Sequence, residues 1–270
     1  KYELEVPTNR SEMIAAAKVV QEGEALEGNT VWGLPISIVW PSEWLFTASL
    51  YQHNGLEIDD ALNPAYNSDA GENALKALAD LIHVEHISPM NLSVDQDLFM
   101  FQSGRALFHM QGSWMLNAMK DSGINFGVLP ISQMFNEGSE AYKQSIPARS
   151  HTFVVPDQGG DVSDARKRAV MTFVKYLGDN SSTWATAGQI PASNIARSTE
   201  AYQALEHISD FGAIENFKVS AQSPYFHEAF SPVYSRVTAA LSNANYSSTQ
   251  LLTAAVEEAL QLLQEARSRN

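Results

Sequence analysis

Cysteine is absent from this 270-residue chain, which excludes disulfides, thiolate metal ligands and cysteine nucleophiles together. Basic residues are scarce, because 17 Lys and Arg stand against 31 Asp and Glu and leave a net charge of -14. Such a charge repels phosphate backbones and anionic lipid headgroups, so nucleic acid is not an expected partner. No run approaches the roughly 20 apolar residues of a membrane-spanning helix. The opening Lys1-Tyr-Glu-Leu-Glu is not a signal peptide.

Motifs of several catalytic and cofactor sites are also missing. Neither a Walker loop nor Gly-x-Gly-x-x-Gly occurs, so nucleotide binding has no support. Gln111-Gly-Ser-Trp-Met lacks the second glycine of a nucleophile elbow, and His83 and His86 have no evident third metal ligand nearby. The sequence therefore predicts neither a metal nor a cofactor. A pair of facing carboxylates, as in a glycosidase, stays an open alternative, because 31 acidic residues do not reveal their proximity.

Hydrophobic residues make up 44% of the chain, enough for a sizeable core, and their periodicity predicts helices separated by strands. The predicted helices are about 8–22, 44–51, 67–83, 94–103, 113–120, 161–177, 183–187, 199–208, 226–242 and 248–268. The predicted strands are 30–39, 105–110, 125–130 and 150–155. This order predicts an α/β architecture with a helical end packed back on it.

Local patterns add detail to some of these helices. Asn9, with Glu12 three residues later, is a candidate N-cap of the first helix, and Thr8 is the alternative. Two later helices carry an apolar face at helical spacing. In 67–83 that face, expected to lie in the core, comprises Leu75, Leu78, Ala79 and Ile82. In 161–177, the clearest helix pattern, the face comprises Val170, Phe173, Val174 and Leu177.

Four tryptophans lie at the ends of predicted elements, beside proline, glycine or a helix start: Trp40, Trp44, Trp114 and Trp184. On an α/β scaffold, loops at such positions form binding clefts. Aromatic rings stack on the C–H faces of sugars, so a cleft lined by Trp and Tyr with a few polar groups fits a carbohydrate. Core packing is the alternative role of each ring. Beside Trp114, we expect Gly112 to allow a tight turn and Ser113 to cap the following helix.

The order of the motifs resembles that of the maltose-binding-protein-like extracellular solute-binding proteins of carbohydrate ABC importers, of the bacterial family 1 type. Six blocks carry the resemblance: 7–18, 44–55, 101–114, 127–131, 169–177 and 184–191. Gln111-Gly-Ser-Trp114 is similar to the Gly-x-Trp of the family's core block, and Gly188-Gln-Ile-Pro191 to its Gly-x-Ile-Pro segment. The blocks follow the family's order across nearly the whole chain, which makes the match specific.

The resemblance implies a fold and a division into lobes. The fold is α/β, periplasmic-binding-protein-like of type II, and rich in helices. Because the similarity begins well inside the family's pattern, we expect an N-terminally truncated chain with a complete C-lobe and most of the N-lobe missing. Residues 1–147 would form the first part of the C-lobe, 148–195 a partial N-lobe excursion, and 196–270 the helical return of the C-lobe.

The resemblance also implies a function in binding rather than catalysis. In this family two lobes close over a mono- or oligosaccharide, and the closed form docks on the transmembrane permease subunits of an ABC importer. The residues implied to contact the ligand are Trp44, Trp114, Glu43, His151, Arg149 and Phe226.

These six residues have different implied roles. Trp44 and Trp114 lie where the family places sugar-stacking rings, and Glu43 is placed to accept a hydrogen bond from a hydroxyl. Arg149 and His151 lie at a lobe crossover, where shaping the hinge is the alternative role of the histidine. Phe226 is the aromatic residue implied to line the cleft from the C-terminal part.

The resemblance also bears on where the whole protein is located, on its alternative functions and on the effects of truncation. The whole protein is expected to carry a secretory signal and to be periplasmic or lipid-anchored on the extracellular face of the membrane. A carbohydrate-active hydrolase with an aromatic cleft, and a fragment without retained ligand affinity, remain as alternatives. With half of the implied cleft missing, we expect weak or undetectable sugar affinity for this chain alone. An uncovered apolar surface would also favour self-association.

Overall fold

The computed structural model describes residues 1–156, 160 and 162–269. The chain forms two compact units, each assembled from separate stretches. The first unit comprises 1–111, 130–148 and 212–270, and the second comprises 112–129 and 149–211. The predicted lobes follow other boundaries, because 112–129 and 196–211 are assigned to the C-lobe by resemblance but belong to the second unit. The correspondence between units and lobes stays a prediction.

Helices dominate the described residues. The α-helices are α1 (Arg10–Leu26), α2 (Ser42–Gln52), α3 (Asp69–His83), α4 (Gln96–Gln102), α5 (Leu116–Asp121), α6 (Asp164–Asp179), α7 (Ser182–Ala185), α8 (Asn194–Arg197), α9 (Glu200–Gln203), α10 (Phe226–Phe230), α11 (Pro232–Ser242) and α12 (Ser248–Ser268). Two strands, β1 (Ile146–Ala148) and β2 (Phe217–Val219), pair in parallel with Ile146 opposite Phe217. Within the described part of the chain, no helix combines the length and the apolar character needed to cross a membrane.

The core of the first unit lies between α2, α3, α11 and α12, which pack against one another. α2 is buried on nearly all sides, and its buried residues include the polar Ser42, Thr47, Ser49 and Gln52. On α3 the predicted core face is confirmed, since each of its four residues is at most 1% exposed. The buried residues of α12 are Leu252, Ala255, Ala259 and Leu263. Full burial of one Leu or Phe contributes roughly 1.5–3 kcal/mol, so this core is the main source of stability in the unit.

Hydrogen bonds at the helix ends explain where α1 begins and where α2 ends. The side chain of Asn9 accepts the N–H of Glu12 at 3.0 Å, which confirms the predicted N-cap. The Glu12 carboxylate in turn accepts the backbone N–H and the hydroxyl of Thr8 at 2.7 and 2.9 Å. After α2, Asn54 adopts the left-handed conformation that commonly ends a helix, with φ of 61°. The next N–H, of Gly55, donates back to a carbonyl of the last turn at 2.8 Å.

The four predicted strands are wrong, because none of them forms a regular strand. Residues 30–39 make only isolated bridges, from Trp32 to Ala106 within 105–110 and from Ser37 to Leu92. Pro35 lies between these two bridges and has no N–H to donate, and the partner changes from one bridge to the next, so no continuous ladder forms. Residues 125–130 and 150–155 are irregular. In 150–155 successive side chains are exposed (61% at 153 and 81% at 154), so neither face is stabilised by burial.

The second unit has a small core and short helices. Its buried apolar cluster comprises Ala185, Tyr202 and Ile208. α6 is formed as predicted, although it begins at Asp164 after the N-cap Ser163 and continues to Asp179, two residues past the predicted end. The predicted start at Asp161 lies outside the described residues. No residue of α6 is buried, so its apolar face lies on the surface.

Several other helices are shorter than predicted. The pattern at 199–208 gives only the four residues of α9, and 183–187 gives the four of α7. The pattern at 226–242 divides into α10 and α11, with Pro232 in the first turn of α11, where proline removes no helical hydrogen bond. The helix predicted at 94–103 begins at Gln96, and the one predicted at 113–120 begins with a 3-10 turn.

The helical glycines Gly71, in α3, and Gly178, in α6, have opposite surroundings. A Cβ on Gly71 would lie 1.8 Å from the carbonyl oxygen of Tyr66, whereas a Cβ on Gly178 would meet nothing within 4 Å. We expect Gly71→Ala to lower the free energy of unfolding by about 1–3 kcal/mol, as overpacking does. Gly178→Ala should raise it by about 0.5–1 kcal/mol through helix propensity. Urea unfolding followed by far-UV circular dichroism checks both, and equal effects would contradict this description.

Candidate functional site

Glu43 and Trp44 lie in the first turn of α2, in the first unit. The Trp44 N–H donates to the carbonyl of Pro41 at 2.9 Å, and the Ser42 hydroxyl donates to the carbonyl of Val39. The rings of Trp40 and Trp44 meet edge to face, with centroids 6.4 Å apart and planes at 89°. Trp40 is 38% exposed, and Glu43 and Trp44 are half-buried. This arrangement holds two indoles at one helix start, and part of the pair is open to solvent.

Phe226 begins α10, also in the first unit. Its ring lies 5.5 Å from that of Phe230, which is fully buried. The side chain is half-buried and packs against two apolar clusters of the unit. Much of this ring therefore contributes to core packing, which leaves less of it for a ligand than sequence reasoning assumed.

Trp114 lies in the second unit, in a 3-10 turn over Ser113–Met115, and is 39% exposed. Its ring folds back over Gly112, where a Cβ would lie 2.1 Å from the Trp114 ring atom Cη2. Gly112 has φ of -80°, so the turn does not need its conformational freedom. The glycine is required here because any larger residue would displace the indole. The predicted capping role of Ser113 is wrong: the turn is preceded by Gly112 with no side-chain cap, and α5 begins after Met115.

The second motif of the resemblance lies directly against this turn. Gly188 has φ of 84°, and a Cβ on it would lie 2.0 Å from the carbonyl oxygen of Ser113 and 2.9 Å from the Cβ of Leu116. Residues 111–114 and 188–191 are 74 or more positions apart in sequence, yet the backbone at Gly188 contacts the backbone that carries Trp114. The second unit thus brings these two motifs together.

Arg149 and His151 are exposed and belong to the second unit. They lie at the start of the irregular stretch 149–156, in which the Ser150 hydroxyl donates to the carbonyl of His151 at 3.1 Å. The six predicted ligand residues therefore fall into two sets: Glu43, Trp44 and Phe226 in one unit, and Trp114, Arg149 and His151 in the other. Their action on one ligand stays a prediction.

Sequence reasoning missed a buried acid and imidazole in the first unit. Asp97, on α4, is 3% exposed, and the Nδ1 atom of His109 lies 3.6 Å from its Oδ2 atom. Burial raises the pKa of Asp97 to about 6 and lowers the pKa of His109 to about 4. The available sequence clue is a histidine within the apolar run Leu107-Phe-His-Met110, because a histidine so placed is often buried.

Metal binding finds no support in the described part of the chain, where no group of three His, Asp or Glu side chains is placed to hold an ion. His83 is the last residue of α3 and is half-buried. Its Nε2 atom lies 2.8 Å from the carbonyl oxygen of Ala240 in α11, and its ring lies 6.3 Å from that of Tyr246. The role of His83 is to link α3 to α11.

Gly188→Ala tests the contact between the two motifs, and Gly123→Ala is its matched control. Both glycines have positive φ, 84° and 73°, but a Cβ on Gly123 meets nothing within 4 Å. Each variant pays about 1–2 kcal/mol for the left-handed backbone, and only Gly188→Ala adds a clash with the Ser113 carbonyl. We expect a larger loss of Tm for Gly188→Ala, with a changed near-UV circular dichroism signal of tryptophan. Identical losses in the two variants would show that the contact does not matter.

Comparison with known proteins identifies a family that this chain matches. Residues 2–210 match the family described as bacterial extracellular solute-binding protein. No curated protein sequence matches the chain significantly.

Three solved structures are similar over nearly the whole chain. An ABC substrate-binding protein from Listeria monocytogenes in complex with cycloalternan has a TM-score of 0.70 and 16% identity, with 96% of this chain and 66% of that one covered. A maltose/maltodextrin-binding domain from Bdellovibrio bacteriovorus bound to maltotriose has a TM-score of 0.68 and 17% identity, with 98% and 68% covered. A Mycobacterium tuberculosis protein in complex with glycerophosphocholine has a TM-score of 0.71 and 13% identity, with 97% and 65% covered.

These likenesses confirm the predicted fold, that of type II periplasmic binding proteins. The chain spans about two thirds of the length of each of these proteins. The family match extends over most of its residues and includes both motifs that meet beside Trp114. The chain belongs to the bacterial extracellular solute-binding protein family.

Proposed function

We propose that this protein is the carbohydrate-binding component of an ABC importer, which captures a mono- or oligosaccharide between aromatic rings and delivers it to a membrane permease. The observation that carries the proposal is the packing of Trp114. Its indole packs against Gly112, its turn contacts Gly188, and the residue is 39% exposed. A rigid, partly exposed ring suits stacking on a sugar face, because little conformational entropy is lost on binding.

The other proposed contacts follow from chemistry and position. Trp44, braced edge to face by Trp40, supplies a second ring, and Glu43 beside it accepts hydrogen bonds from hydroxyl groups. Arg149 and His151 are exposed polar groups able to donate to sugar oxygens. Phe226 contributes only an edge, because its ring is half-buried in the core.

The net charge of -14 favours a neutral ligand over an anionic one. The similar structures hold two kinds of ligand: cycloalternan and maltotriose are uncharged sugars, whereas glycerophosphocholine is a zwitterion in which a quaternary ammonium group balances the phosphodiester. The net charge does not separate these two kinds, but partly exposed indole rings suit sugar faces. A neutral saccharide is therefore the first ligand class to test, and glycerophosphocholine is the informative comparison compound.

The family consists of extracellular binding proteins. For this protein we further propose a location in the periplasm or on the outer face of the cell membrane, with permease transmembrane subunits as partners. The alternative is a carbohydrate-active hydrolase. Release of reducing ends from an oligosaccharide, abolished by substitution of one carboxylate, would establish that alternative and reject a function limited to binding.

Trp114→Ala and Trp184→Ala form a matched pair for testing the sugar site. Both indoles belong to the second unit and are similarly exposed, at 39% and 48%, but only Trp114 is a proposed ligand contact. We expect millimolar maltotriose to raise the Tm of the wild type and of Trp184→Ala, and not that of Trp114→Ala. The shift should be small, because the family's cleft is formed by two lobes.

A thermal-shift titration with maltotriose, and with glycerophosphocholine in parallel, measures this. A shift that survives in Trp114→Ala would remove that ring from the site. A shift with glycerophosphocholine alone would replace the sugar by a phosphodiester ligand. The melting temperatures without ligand show whether each variant is folded.

We also propose that the chain associates with itself through the apolar face of α6. Phe173 and Tyr176, three residues apart on one side of that helix, are 60% and 61% exposed. Exposed aromatic surface of this kind favours a partner, and a second copy of the chain is always present in a concentrated solution.

Replacement of Phe173 and Tyr176 by Ser in one variant tests this association, and Lys175→Ser is the control on the same helix. The Lys175 side chain is 74% exposed and forms a surface ion pair with Asp179 at 2.5 Å, and such a pair contributes little to stability. Light scattering should show a mass that rises with concentration for the wild type and the control, and a constant monomer mass for the double variant. A wild type that stays monomeric at all concentrations contradicts the proposal.

A further inference from the structure

Asp97 and His109 form an isolated buried pair in the first unit. Their side chains are 4% and 3% exposed, and the Nδ1 to Oδ2 distance is 3.6 Å. That distance is longer than a hydrogen bond, and among the described residues neither ring nitrogen of His109 has a hydrogen-bond partner. The imidazole stacks on Phe101, with ring centroids 5.8 Å apart and planes at 27°. A buried imidazole with two unsatisfied nitrogens lowers the stability of the fold, so its position beside a carboxyl group calls for a physical explanation.

The groups around the pair determine where it holds a proton. The backbone N–H groups of Ser37 and Leu98 donate to the Asp97 carboxylate, and Asp95, just before α4, is the charged neighbour that acts on it. At His109 burial alone accounts for the shift, with Asp97 as the facing acid. The pKa of the carboxyl is raised to about 6 and that of the imidazole is lowered to about 4. Between these values the folded pair carries one proton on the carboxyl and no charge.

The unfolded chain holds the same number of protons in that interval, but on the other group. With ordinary pKa values of about 3.9 for Asp and 6.5 for His, the imidazole is charged and the carboxyl is ionised. Folding therefore moves one proton from His109 to Asp97 without net uptake. Above pH 6 the folded pair has lost that proton, and an ionised carboxylate remains buried beside a neutral ring, which burial disfavours.

We propose that the Asp97–His109 pair acts as a one-proton clasp, by which we mean a hydrogen bond that forms between the two side chains when the Asp97 carboxyl is protonated. This bond positions the chain that runs from His109 to Gln111. A protonated Asp97 donates its O–H to the unsatisfied Nδ1 atom of His109. Closing the 3.6 Å gap to the usual length of about 2.8 Å moves the histidine toward α4.

The location of His109 in the chain gives this movement its effect. The preceding backbone is fixed, because the N–H groups of Leu107 and Phe108 donate to the carbonyls of Trp32 and Gly33 at 2.9 and 2.8 Å. His109 is the next residue, and Met110 and Gln111 follow before the chain enters Gly112 and the Trp114 turn. A shift of His109 is therefore passed forward to Met110 and Gln111, since the backbone behind it is held.

Nuclear magnetic resonance of the ligand-free chain tests the clasp directly. The Asp97 carboxyl carbon should titrate with a midpoint near pH 6, and the His109 ring nitrogens should stay neutral down to about pH 4. The amide resonances of Met110 and Gln111 should move with the carboxyl midpoint, and this movement should be absent in Asp97→Asn. A ring that titrates near 6.5, or amides that ignore the carboxyl, would overturn the proposal.

Thermal unfolding between pH 4 and 7 gives a second, independent readout with Asp97→Asn, His109→Gln and the double variant. Asp97→Asn leaves the histidine alone, whose folded pKa is lowered, so its Tm should fall below that of the double variant as the pH drops from 6.5 to 4. His109→Gln leaves the carboxyl alone, whose folded pKa is raised, so its Tm should lie below that of the double variant above pH 6 and rise relative to it as the pH drops through 6. Two single variants that both track the double variant would contradict the proton transfer.

Neither experiment needs a ligand, so a failure of the sugar proposal leaves both intact. One consequence rests on the proposed function: wild-type saccharide affinity should change with a midpoint near pH 6, and that of Asp97→Asn should not. If sugar binds without this midpoint while the amides titrate, the clasp moves the chain but does not reach the ligand.

Discussion

The first unit depends on the buried amide of Gln52, because the chain leaves this unit after residue 111 and returns at 130. The side chain is fully buried at the end of α2. Its Nε2 atom donates to the carbonyls of Ile131 and Ser145 at 2.9 and 3.3 Å, and its Oε1 atom accepts the N–H of Phe135 at 2.9 Å. One amide thus satisfies the backbone of the returning segment at three places. Apolar packing could hold that segment in many registers, whereas these directed bonds allow one.

The two-strand pairing extends the same constraint to the C-terminal part. β1 follows directly after Ser145, and its parallel partner β2 brings residues 217–219 beside it. Directly after β2, the Ser220 hydroxyl donates to the Oε1 atom of the buried Glu57 at 3.1 Å. Within β2, the Nζ atom of Lys218 lies 4.4 Å from the ring centroid of Tyr51. The three separate stretches of the unit are therefore joined by polar contacts with defined directions, and the apolar core of α2, α3, α11 and α12 supplies the bulk of the stability.

The helices α1 and α3 were predictable from the sequence because their determinants are local. Asn9 with Glu12, and the apolar face of α3, depend on residues within one or two turns, so pattern and position agreed with the structure. The strands were not predictable in this way, because a strand forms only when it pairs with another segment, and sequence patterns do not identify that segment. Residues 30–39 have strand-like composition but find two different partners on either side of Pro35. The exposure of the apolar face of α6 could not be read from the sequence for the same reason, since periodicity shows an apolar face without showing what covers it.

The candidate site shows the same division. The location of Trp44 and Trp114 at the ends of elements could be inferred from the sequence. The role of Gly112 could not, because the close approach of the indole depends on three-dimensional packing. The contact of Gly188 with Ser113, and the pairing of Asp97 with His109, join residues that no local pattern connects.

The position of that buried pair also answers a chemical problem for a site built from indole rings. Tryptophan does not titrate, and a neutral sugar offers no charge for a protonated group to recognise. A pH dependence of stacking on Trp114 would enter through the backbone that carries this ring, whereas Glu43 and His151, ionisable contacts of the proposed site, would act on the ligand directly. His109 directly follows the hydrogen-bonded backbone of Leu107 and Phe108 and precedes the chain to Gly112, so the proposed clasp would alter that chain at a distance from the proposed sugar contacts.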